Sequence, residues 1–569
     1  MKLPATLLLT FAAAGFALAG EKVSPDLKHV DPGTTVTAVI QFTSTPDNAT
    51  LKAIGLKGGQ AKKSFKKFQG GVFTVPASAV AEIAALPQVK YISIDRVVRP
   101  RLDITTATAG ADIARQYGWT GRGVAVAVLD SGIDAGLRDL KAAGSEESRV
   151  VYSENFIGGG DGDLYGHGTH VAGIVGGNGT SSAGTGRVFR GIAPEVNIVS
   201  LRVLDENGVG SDSAVIAAMD RAVELKDRYN IRVLNLSLGR PILESFASDP
   251  LCQAVEMAWN AGIVVVVAAG NNGRDNSAGN QGYATITSPG NDPYTITVGA
   301  MKAKGTPDRN DDEIASYSSK GPTIADHFVK PDLLAPGNNV TSLRAVNSTL
   351  DTAYPDNRVL PGSYGAASGP AVYYSMSGTS MAAPAVAGAA ALMLQKDPNL
   401  TPDQVKARLM KTAGKAFPTY STATDPVTGQ TYTSQYDIFA VGAGYLDIYA
   451  ALNCPDLPMG RAVSPTAVFD AATGSVVILA NSVAWGESVA WGESVAWGES
   501  VVWGSSVFGS ALSVAWGESV AWGESVAWGE SVAWGESVTQ GFHSIWSTSV
   551  AWGENVAMAE KVFGMKPEK

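Results

Sequence analysis

Three residues far apart in the chain carry the groups that acyl transfer requires: a carboxylate at Asp130 in VAVAVLDSGID, an imidazole at His167 in GHGTHVAG, and a hydroxyl at Ser380 in GTSMAAP. A serine hydroxyl alone is a weak nucleophile, so it needs an adjacent base and a third group that orients that base. In such a scheme His167 takes the proton of Ser380 and returns it to the leaving amine, while Asp130 fixes the imidazole tautomer and stabilises its protonated form. The developing oxyanion needs donors, and Asn271, at the end of IVVVVAAGNNG, supplies one beside the backbone N–H of Ser380.

The elements around these residues suit the roles. Val124 to Leu129 is a valine-rich run that predicts a strand buried on both faces. It delivers Asp130 to the strand's carboxyl end, where open α/β sheets place their ligand crevices. His167 and Ser380 each stand just ahead of a small-residue and aliphatic run, HVAGIVGG and MAAPAVAGAAALMLQ, that predicts a helix. A nucleophile at a helix start gains positive potential from the free N–H groups there. Gly166, Gly168 and Gly378 allow neighbouring backbone to approach closely.

With these segments and RGIAPEVNIVSLRVLDENG, VLNLSLG, ASYSSKGP, KPDLLAPG and GAGYLDIYAAL in the same order, residues 104–453 resemble the subtilisin-like serine peptidases, the subtilases. The resemblance implies an α/β fold, a doubly wound and mostly parallel sheet with helices on both faces. It implies that Asp130, His167 and Ser380 form a catalytic triad, that Asn271 completes the oxyanion hole, and that protein or peptide substrates pair in extended form with Ser237, Leu238 and Gly239. No cofactor is implied for the chemistry. Asp139 matches an aspartate that helps hold a structural calcium ion, but the partner loop GNGTSSAGTGRVF is longer than the family pattern. The segment GRDNSAGNQGYATITSPG after Asn271, which departs from that pattern, is expected to shape the pocket for the residue before the scissile bond.

Competing readings exist for single residues. His170 follows His167 by three positions, yet the chain has no HExxH and only five histidines and two cysteines, so a catalytic zinc is disfavoured and His170 reads as structural. Asp134 and Asp139 can each be read as an ordinary surface acid, and Asn271 as a strand terminator. Cys252 and Cys454 leave two options open, a disulfide or two separate buried thiols.

The chain has 569 residues, too long for one ordinary domain, and a formal charge of −10 that argues against a nucleic-acid partner. Lys2, the apolar stretch Leu3 to Leu18 and a small residue at Ala19 predict a signal peptide over residues 1–19 and export of the mature, soluble protein. Residues 20–103 contain the strand patterns TVTAVIQF, GGVFTVP and QVKYISIDRVV and the helical ASAVAEIAAL, a small α+β unit. Its position before the catalytic region resembles the subtilase propeptide, an intramolecular inhibitor removed by self-cleavage, here between Arg99 and Ala109.

Residues 454–569 form an extension in which SVAWGE recurs in eight copies between positions 482 and 554, and ten of the twelve tryptophans lie there. Its even period keeps Val, Trp and Glu on one face of an extended chain, so a β-solenoid and a coreless low-complexity tail both stay open. Exposed tryptophans would suit glycan or cell-surface contact. The leading functional reading is a secreted, self-processing serine endopeptidase. The alternative is an adhesive or structural surface protein with a vestigial peptidase region.

Overall fold

The structure, a computed structural model, describes residues 22–24, 27, 30, 32–65, 69–94, 104–160, 162–277, 280–425, 428–470 and 475–479, with three two-residue strands at 521–522, 526–527 and 558–559. The expected signal peptide and nearly all of the hexad repeats lie outside the described residues. Two units are present, Met1–Arg99 and Pro100–Lys569.

In the first unit, strands β1 (Thr35–Phe42), β2 (Gln60–Ser64), β3 (Gly70–Pro76) and β4 (Val89–Ile94) form an antiparallel sheet in the order β2-β3-β1-β4. Alternation in TVTAVIQF puts Ala38, Ile40 and Phe42 on the buried face, where they meet Phe73, Val75, Ile83 and Ile92 in a core of the unit's own. The helix Asn48–Leu56 and the edge strand β2 were not apparent in the sequence. The helix is short and depends on a cap, the Asp47 side chain accepting from the Thr50 N–H at 2.7 Å. Every residue of β2 is exposed, so it lacks the hydrophobic alternation that marks a half-buried strand.

The second unit is built on an eight-stranded sheet: β5 (Ala125–Asp130), β6 (Val150–Asn155), β7 (Asn197–Arg202), β8 (Ile231–Leu236), β10 (Val264–Ala268), β11 (Ile296–Lys302), β12 (Glu313–Ile314) and β13 (Leu333–Pro336). The two-residue strand β9 (Leu238–Gly239) lies outside it. All sheet pairings are parallel except β11 with β12. The central β5 is buried at every position, and β7 and β8 flank it. The strand order reverses at this point, and there the carboxyl ends of an open sheet form a crevice.

The helices His167–Gly176 and Thr379–Lys396 pack on each other and on this sheet, and Asp212–Glu224 packs on Pro250–Asn260. The helix Thr379–Lys396 is buried from Thr379 to Leu394, consistent with its nearly uninterrupted small and aliphatic composition. Among the described residues, no helix is long and apolar enough to cross a membrane.

Hydrogen bonding into this unit continues past Asn453. Ser464 is fully buried; its Oγ donates to Asp332 Oδ1 (2.6 Å) and accepts from Lys406 Nζ (3.0 Å). The backbone of Val329 donates to Pro465 O, and that of Ala467 to His327 O, both at 2.8 Å. Asp332 is fully buried with Lys330 and Lys406 against it, so Ser464 completes the partners of a buried charge cluster. Cys252 and Cys454 are two buried free thiols. Of the repeats, Ala521–Trp522 and Val526–Ala527 form an antiparallel pair.

Candidate active site

Asp130 ends β5, and His167 opens the helix His167–Gly176. His167 Nδ1 lies 2.8 and 2.9 Å from Asp130 Oδ1 and Oδ2. Both residues are buried, and the Ser131 N–H also donates to Asp130 Oδ1 at 2.7 Å. A carboxylate only accepts, so Nδ1 carries the proton and Nε2 is left as the basic nitrogen. The approach is close because Gly168 has no side chain: a Cβ there would lie 2.2 Å from Gly132 O.

Asp163 locks this corner. It accepts from Ser131 Oγ, Gly166 N and Thr169 N, each at 2.7 Å. One carboxylate thereby joins the loop after β5 to the first turn of the His167 helix, although burial pushes its acidity down and its pKa up. The sequence reading passed over Asp163, whose only signal was an acid four residues ahead of HGTH.

Ser380 lies in the first turn of the buried helix Thr379–Lys396, which contains Pro384. Proline has no N–H, so the Ser380 carbonyl lacks its i+4 donor. Ser237 Oγ supplies that donor at 2.9 Å, while Ser380 Oγ donates to Ser237 O at 3.4 Å. Ser237 therefore holds the segment bearing Ser380 rather than presenting its side chain outward. Leu238 and Gly239 follow it as β9, which pairs antiparallel with Met558–Ala559.

Asn271 is fixed by Thr379. Its Oδ1 accepts from the Thr379 N–H (2.8 Å) and Oγ1–H (3.1 Å), and Thr379 Oγ1 in turn accepts from Gly270 N (3.2 Å). A backbone N–H can only donate, so the oxygen of the amide is assigned and the Nδ2 donors face away from it. A Cβ on Gly378 would come within 3.3 Å of that Nδ2.

His170 is buried, and its Nε2 lies 3.1 Å from Val340 O and 3.0 Å from Tyr374 O. Two carbonyls require an N–H there, and burial holds this imidazole down at about 3, so it stays neutral across ordinary pH. It is a structural tie, not a ligand.

The calcium expectation at Asp139 meets donors of the wrong kind. Asp139 Oδ1 accepts from Ser181 N (2.6 Å) and Oδ2 from the Tyr373 hydroxyl (2.7 Å). The Arg149 guanidinium donates to the carbonyls of Asp139 (2.7 Å), Gly176 (2.6 Å), Val196 (2.8 Å) and Lys141 (3.1 Å). Burial lowers Arg149 to about 10, which leaves it charged at neutral pH. Carbonyls that a metal could use face a resident cation, so these residues do not fit a calcium ion. Among the described residues, no group of three or more His, Cys, Asp or Glu could hold a metal.

The profile of the subtilase family matches residues 121–444, the stretch that contains all four site residues. The chain belongs to the subtilase family. Serine protease AprX of Bacillus subtilis (strain 168) is 38% identical over 363 residues, covering 62% of this chain and 75% of that protein. Subtilisin E of the same organism is 33% identical over 413 residues, covering 72% and 91%. The extracellular serine proteinase of Thermus sp. (strain Rt41A) is 35% identical over 373 residues, covering 63% and 75%. As a member of this family the chain is a serine endopeptidase with a subtilisin-like fold, acting on protein substrates.

Proposed function

We propose that Asp130, His167 and Ser380 act as the triad of this peptidase, through an acyl-enzyme intermediate. The observation that carries the reading is the buried Asp130–His167 pair at 2.8 Å, at the carboxyl end of the central strand. The neutral Nε2 of His167 receives the Ser380 proton as Oγ attacks the carbonyl, and passes it to the leaving amine. Asn271 Nδ2 and the Ser380 N–H bind the oxyanion. Substrate runs along Leu238–Gly239 as an added strand; that this edge already pairs with Met558–Ala559 supports its capacity to take one. Hydrolysis of denatured casein, blocked by a serine-directed reagent that labels Ser380 and no other residue, tests the assignment.

The base must be neutral to work, so activity should rise with pH as one imidazole loses its proton and stay high into the alkaline range. His170, neutral above about 3, adds no second histidine step. A rate-against-pH profile with its maximum below about pH 4 would remove His167 from the role of base.

In this reading residues 1–19 direct export, residues 20–103 are a propeptide cut by the enzyme itself, and the peptidase is secreted. The compact core of the first unit and the printed name of the Thermus relative support it. The hexad repeats are an appendage to the chemistry, with surface or glycan contact as their role; the family match leaves the adhesive reading of the whole chain unfavoured.

The functional catalytic unit reaches to about Leu479. A chain ending after Leu479 should keep its peptide-hydrolysing activity, whereas one ending at Asn453 loses Ser464 and leaves the Asp332, Lys330 and Lys406 cluster short of a partner. Hydrogen bonds to charged groups are worth about 1.5–3 kcal/mol each, so the shorter chain should melt several degrees lower. Equal melting temperatures of the two chains would place the boundary back at residue 453.

A further inference from the structure

We infer that Arg240 is a positioning residue for substrate binding: held between Asp212 and Asp249, it sets the spacing between the edge Leu238–Gly239 and the facing segment Thr287–Ser288. This inference rests on the proposed role of Leu238–Gly239 as the substrate edge.

Arg240 directly follows that edge. Its backbone forms a two-way bridge with Ser288, donating to Ser288 O at 3.0 Å and accepting from Ser288 N at 2.8 Å. One residue earlier, Thr287 N donates to Ala269 O at 3.2 Å, two positions before Asn271. The edge, the end of β10 and the Thr287–Ser288 segment are thus tied in series around the expected pocket for the residue before the scissile bond.

The side chain of Arg240 turns inward. Nε lies 3.0 and 2.9 Å from Asp212 Oδ1 and Oδ2, Nη2 lies 2.7 Å from Asp249 Oδ1, and Nη1 donates to Pro241 O at 3.1 Å. Asp249 then closes the ring, because its Oδ2 accepts from Ser288 Oγ at 2.8 Å. One residue is therefore bound to Ser288 twice, through the backbone directly and through Asp249. The far ends are anchored in helices: Asp249 caps Pro250–Asn260 by accepting from Leu251 N at 2.9 Å, and Asp212 is the first residue of Asp212–Glu224.

Arg240 is 3% exposed and Asp249 fully buried. Desolvation of a buried ion pair roughly cancels its attraction, so such a pair is a weak source of stability against apolar residues of similar volume. What a planar fork between two carboxylates does supply is direction, which a lysine cannot reproduce. Here the direction it fixes is that of the backbone that substrate would pair with.

Arg240→Lys and Ser288→Ala test this in the full-length chain, since Arg240→Met strands Asp249 and risks misfolding. Active-site titration with a serine-directed reagent and the melting temperature count the folded, reactive fraction. Peptide anilides of increasing length on the acyl side, with a large or a small residue before the scissile bond, then report kcat and KM. The expected result is a rise in KM of about tenfold or more with a smaller change in kcat, the pattern of lost binding that ground state and transition state share. The preference between large and small residues should narrow in both variants. Unchanged KM and unchanged preference in folded, titratable variants would overturn the inference. A uniform fall in kcat alone would also overturn it, since that places the effect at the reacting centre. If the unaltered enzyme gains nothing from longer peptides, Leu238–Gly239 is not the substrate edge, and the inference falls with that reading.

Discussion

Ser380→Ala is expected to abolish peptide hydrolysis and to leave the purified chain still carrying its amino-terminal unit. The substitution is structurally mild. Ser380 Oγ donates one long hydrogen bond, 3.4 Å to Ser237 O, and the bond that stabilises the helix start runs through the Ser380 carbonyl, which alanine retains. Alanine is also the residue most favourable to a helix. The loss is therefore chemical. What remains after removal of a triad member, about 10³ to 10⁴ over water from binding and oxyanion stabilisation, is far too slow for turnover or for self-cleavage. Intact-mass measurement of the variant reads maturation directly. A mature amino terminus in pure Ser380→Ala, with no other peptidase present, would show that another enzyme makes the cut.

The parts of the site visible in the sequence are those encoded within one short segment. VAVAVLD announces a buried strand with an acid at its carboxyl end, and GHGTH and GTSMAAP announce helix starts, because the signal is local hydrophobic pattern plus glycine. What the sequence hid is held by partners far away along the chain. Arg240 joins Asp249, the cap of one helix, to Asp212, 28 residues earlier at the start of another, and Ser464 meets Asp332 from 132 residues away. Arg149 is the sharpest case. Nothing in SRVVYSEN marks an arginine that gathers four carbonyls, yet it decides the chemistry around Asp139. Pro384 lies inside MAAPAVAGAAALMLQ, which reads as one helix, and its missing N–H becomes intelligible only when Ser237 is seen to serve the orphaned carbonyl.

Asn271→Leu should lower kcat by about 10² to 10³ with little change in KM, because the lost donor acts on the tetrahedral intermediate more than on bound substrate. Leucine has a second consequence that must be separated from the first. It removes Oδ1, the acceptor of the Thr379 N–H, and a buried donor left without a partner costs about 1–3 kcal/mol. Some of the measured loss could then come from a displaced Ser380, one residue on. Asn271→Asp resolves the two effects. Aspartate keeps an oxygen for Thr379 and places a second oxygen, an acceptor, where Nδ2 stood, so the segment before Ser380 stays anchored while the oxyanion faces a negative charge. Its kcat should therefore fall at least as far as that of the leucine variant, with a smaller loss of melting temperature. Near-normal kcat in Asn271→Asp would mean that Asn271 only anchors Thr379, and that the oxyanion is bound without it.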